Sequence, residues 1–175
     1  MTTFDLAEVR EFAADLDARM DRCDNGEGME CANLENSLRH YAKTCCEFRE
    51  KVIQWARAVF TGRAALDMDD EVMLLEKGAG LYHRAVALLA YAEETCFVVD
   101  ASAELRSALW ELYLMFQEWV TPRLAVGPSA RQGLPLDPAA AEMARQRIKS
   151  LPPLPANWQP EDPRQQTMYR KLKTS

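Results

Sequence analysis

From residue 34 to residue 59 an apolar side chain falls at every step of an alternating four-and-three spacing: Leu34, Leu38, Tyr41, Cys45, Phe48, Val52, Trp55 and Val59. An α-helix turns once in about 3.6 residues, so this spacing lays all of them along one helical face. The same rhythm recurs in Leu6, Val9, Ala13, Leu16 and Met20, in Tyr82, Ala85, Leu89, Ala92, Cys96 and Val99, and in Leu105, Leu109, Leu112, Phe116 and Trp119. Four helices with one apolar stripe each bury those stripes against one another. The pattern therefore predicts an all-α chain whose residues 1–126 form an antiparallel four-helix bundle.

Local signals set the expected boundaries. The first helix is capped by Asp5 or Thr3 and ends near Cys23, ahead of the turn-forming run Asp24-Asn25-Gly26-Glu27-Gly28. The second runs from about Ala32 to Thr61 and stops at Gly62, which makes a central rod roughly 45 Å long at 1.5 Å per residue. Its flanking positions Ser37, Ala42, Thr44, Ala56 and Ala58 are small, where a two-stranded coiled coil would carry charged pairs, so close packing in a multi-helix bundle is favoured. The third helix is expected to begin around Asp69 or Asp70. Gly78 and Gly80 cost it roughly 2 kcal/mol of helix propensity, which marks a place for a kink or break. The apolar phase slips between Val99 and Leu105, so a separate fourth helix follows, capped by Asp100 or Ser102 and closed by Pro122.

After Gly127 the composition changes. Residues 127–175 form a Pro-rich C-terminal arm in which Asp137-Pro138 and Asp162-Pro163 each place an N-cap aspartate before a proline at the first helical position. Short helices are expected near 138–150 and 163–172. Between them, Pro152-Pro153-Leu154-Pro155-Ala156-Asn157-Trp158 reads as extended. Charge divides at the same boundary. The body, 1–126, holds 13 Lys and Arg against 23 Asp and Glu, a net of −10; the arm holds 8 against 4, a net of +4; together they give the chain's −6. An acidic body repels nucleic acid, so direct DNA or RNA binding by it is not expected. No apolar run approaches the roughly 18 residues of a membrane span, and the N-terminus lacks the basic start and apolar run of a secretory signal. A cytoplasmic protein is the reading that follows.

Candidate chemistry is sparse. A carboxylate-bridged di-metal bundle needs Glu-x-x-His pairs, but Ser37 and Gly80 stand three residues before His40 and His83, and both histidines fall off the apolar stripes toward solvent. Asp21-Arg22-Cys23-Asp24-Asn25-Gly26 places a glycine like an EF-hand loop, yet the twelfth position, which must supply a bidentate carboxylate, is Ala32. The cysteines, Cys23, Cys31, Cys45, Cys46 and Cys96, make no zinc-type pair. Cys45 and Cys96 read as small core residues, Cys46 as the more exposed neighbour, and Cys23 and Cys31 as a reduced pair flanking the first loop. No metal, cofactor or catalytic residue is expected.

The fourth helix is different. Beyond its stripe it carries Trp110, Tyr113, Leu114, Met115 and Val120, with polar residues chiefly along Glu104, Glu111 and Glu118. A helix that apolar needs a second burial surface, supplied by the arm within the same chain or by another subunit or partner. The expected function is non-enzymatic protein binding, as an adaptor, chaperone or inhibitor of the immunity type. Its candidate contacts are Trp110, Tyr113, Leu114, Trp158, Tyr169 and Leu172, and its partner is another protein or a second copy. The alternative is a small-molecule- or metal-binding bundle, an enzyme included, with an inter-helix pocket using Tyr41, Trp55, Tyr82 or the cysteines.

Overall fold

The computed structural model describes residues 5–23, 31–95 and 99–120, together with Ala139, Glu142, Met143, Gln146 and Lys149. Four helices account for nearly all of it: α1, Leu6–Cys23; α2, Cys31–Phe60; α3, Met68–Thr95; α4, Val99–Val120. Asp5 caps α1 as expected, its Oδ1 accepting the Ala7 amide at 2.9 Å. At the end of α2 the Arg63 amide donates to the Ala58 carbonyl (2.8 Å) and the Gly62 amide to that of Val59 (3.2 Å), with Gly62 at φ 77°. This double closure requires a left-handed residue, which is why α2 ends at a glycine.

Three boundaries bear on the expectations. α3 begins at Met68, beside the expected Asp69, and its cap is Asp67: its Oδ1 accepts the Asp69 amide at 2.8 Å and its carbonyl accepts the Glu71 amide at 3.1 Å. Asp69, Asp70 and Glu71 then occupy the first turn, where the helix dipole favours carboxylates. Secondly, α3 runs unbroken through Gly78 and Gly80. A Cβ on Gly78 would lie 2.5 Å from Phe116 Cζ and 2.7 Å from Phe48 Cε1, so the glycine lets α3 close onto rings of α4 and α2, and this packing outweighs the lost propensity. Thirdly, Val99 opens α4 rather than ending the third stripe, which places Asp100 and Ser102 inside the helix instead of at its cap. The heptad count ran on because Val99 happens to keep the spacing although α3 has ended at Thr95.

The stripes themselves form the core. Leu16, Leu34, Leu38, Phe48, Val52, Trp55, Ala85, Leu89, Leu105, Leu109 and Leu112 are completely buried. The small flanking residues of α2, Ser37, Ala42, Thr44, Ala56 and Ala58, are buried too, so helices close on this rod from more than one side. Its most extensive contact is with α4, while α1 lies against α2 and α3, across the bundle from α4.

Ion pairs along the seams give the helix directions. Arg10–Asp70, Asp17–Lys77 and Asp21–Arg84 advance together along α1 and α3, which are therefore parallel. Arg39–Glu104 and Arg49–Glu111 do the same for α2 and α4. Glu8–Lys51 and Arg19–Glu47 run in opposite senses on α1 and α2. The chain goes up, down, up and down, so consecutive helices are antiparallel and the two pairs of alternate helices that touch are parallel.

Candidate interaction surface on the fourth helix

At about 100° per residue α4 presents four distinct sides. Leu105, Leu109, Leu112 and Phe116 enter the core. Glu104 and Glu111 lie beside α2, where Arg39 donates to Glu104 at 2.8 Å and Arg49 forms an ion pair with Glu111 at 3.7 Å. On the opposite shoulder Arg106 pairs with Glu93 of α3, and the Tyr113 ring meets that of Tyr82 with centroids 6.1 Å apart. On the remaining arc Trp110 and Leu114 stand about 140° and 180° round from Leu105, and both belong to the buried cluster of the bundle.

This outer arc is divided along its length. In its N-terminal part Ala103 and Ser107 are exposed, whereas in the C-terminal half Trp110 is 2% exposed, Leu114 0% and Gln117 8%. Tyr113 joins them, its ring stacked on Trp110 at 6.1 Å and 20°. Burial pushes the Tyr113 hydroxyl above the usual phenol range, and a hydrogen bond with Gln117 opposes the shift. Three predicted contacts, Trp110, Tyr113 and Leu114, thus form one patch; the other three, Trp158, Tyr169 and Leu172, lie outside the described residues. Gln117 was not visible as a member from sequence. Its amide carries no interface signature, and only its position one turn beyond Tyr113 places it there.

The patch of α4 is already covered within a single chain, so it is not an open apolar surface. A second concave feature is an open cleft of about 760 Å³ between α1 and α2. Glu8, Glu11, Asp15, Glu47 and Glu50 line it against Arg19 and Lys51, and the Arg19 guanidinium lies 4.6 Å from the centre of the Phe12 ring. Arg19 also bridges Asp15 and Glu47 at 3.0 and 2.9 Å. The cleft is an acidic, solvated seam.

The residues considered for ligand chemistry are placed elsewhere. Tyr41, Trp55 and Tyr82 are each at most 1% exposed inside the core, and none lines the cleft. Cys45 is a buried free thiol and Cys46 an exposed one. Burial raises both thiols above their ordinary range, which disfavours the nucleophilic thiolate. His40 and His83 are exposed. Cys23, Cys31 and Cys96 fall where side chains lie outside the described set. Among the described residues no group of three His, Cys, Asp or Glu side chains is arranged to hold a metal ion, and no helix is long and apolar enough to cross a membrane. No protein-family model, curated protein or solved structure matches the chain.

Proposed function

We propose that this chain is a non-enzymatic protein-binding module of adaptor, chaperone or inhibitor type, working in the cytoplasm through α4 and the C-terminal arm. The reading is carried by Trp110, Tyr113 and Leu114, large side chains outside the heptad stripe of α4, of which Trp110 and Leu114 are only 2% and 0% exposed. Burying such side chains contributes roughly 1.5–3 kcal/mol each. Both belong to the buried cluster of the bundle, and the half-buried Tyr113, stacked on Trp110, is the member of the patch through which another polypeptide segment engages it. Stacked Trp and Tyr rings are favoured anchors in such interfaces. The body's net charge of −10 suits a basic partner, whose approach it accelerates.

The test is native mass spectrometry and light scattering on the full chain purified from its host. The expected result is a stoichiometric protein partner or a second copy, with affinity at least about tenfold weaker, or 1.4 kcal/mol, after Trp158→Ala with Tyr169→Ala. A monomer carrying a stoichiometric metal or small molecule would overturn the reading.

A further inference from the structure

We draw no further inference here: the strongest candidate, the open cleft between α1 and α2 lined by Glu8, Glu11, Asp15, Glu47 and Glu50, is a cluster of acidic side chains, and nothing among the described residues shows what would occupy it.

Discussion

Two glycines two residues apart in α3 are set in opposite environments. A Cβ on Gly78 meets the rings of Phe116 and Phe48 below 3 Å, whereas one on Gly80 meets nothing within 4 Å. Gly80→Ala gains roughly 0.5–1 kcal/mol of helix stability. At Gly78 the same gain of about 1 kcal/mol is set against about 1–3 kcal/mol of overpacking, and the rigid rings decide for a net loss. Urea unfolding is expected to move the midpoint up for Gly80→Ala and down for Gly78→Ala; a rise in both would mean that α3 does not press on those rings. The adjacent cysteines give a similar contrast. Cys46 is expected to be alkylated in the native protein only as pH rises past the ordinary thiol range, and Cys45 only on unfolding. Because folding raises the Cys45 thiol, its contribution is intact below about pH 8.5, the unfolded value, and is lost above it by at most about 1.4 kcal/mol per pH unit. Cys45→Ala should flatten that alkaline decline in denaturant titrations; an unchanged slope would trace the decline to other groups.

At the scale of the element, α2 was legible in full, because eight consecutive stripe positions, a row of small flanks and Gly62 all imply the same rod. For α3 the sequence showed the stripe and the start to within a residue, but carried the stripe past the end at Thr95 to Val99. Asp67, Asp69 and Asp70 are all competent caps, and only the geometry of the Asp69 and Glu71 amides selects Asp67. The expected break at Gly78 failed because propensity is local, while the rings that need the missing Cβ come from positions 48 and 116. For the candidate site, composition alone showed that α4 has a second apolar side with Trp110, Tyr113 and Leu114 on it. It did not show that only the C-terminal half of that side is covered. Ala103 and Ser107 share the arc with Trp110 and Leu114 but are exposed where those two are buried.

At the scale of the whole molecule, the arrangement follows from stripe number per helix. A helix with one stripe can sit at a corner, as α1 does, whereas α2 and α4 each bury residues on more than one side and come together. Among the described residues the ion pairs then mark the rims, with Arg10–Asp70, Asp17–Lys77 and Asp21–Arg84 along α1 and α3 and Arg39–Glu104 and Arg49–Glu111 along α2 and α4. Most are solvent-exposed and each contributes little to stability, so they register the helices more than they hold them. The parallel pairing of α2 with α4 also sets an order of assembly. Arg39 and Glu104 are 65 residues apart, and the largest interface of the bundle closes only after all of α3 has turned back between them, whereas the α2–α3 and α3–α4 hairpins join near neighbours. Loop-closure entropy favours those hairpins first. During synthesis α2 therefore waits with the apolar surface meant for α4 uncovered until about residue 120 has emerged, and a nascent chain stalled before α4 should be the species that chaperones and proteases seize.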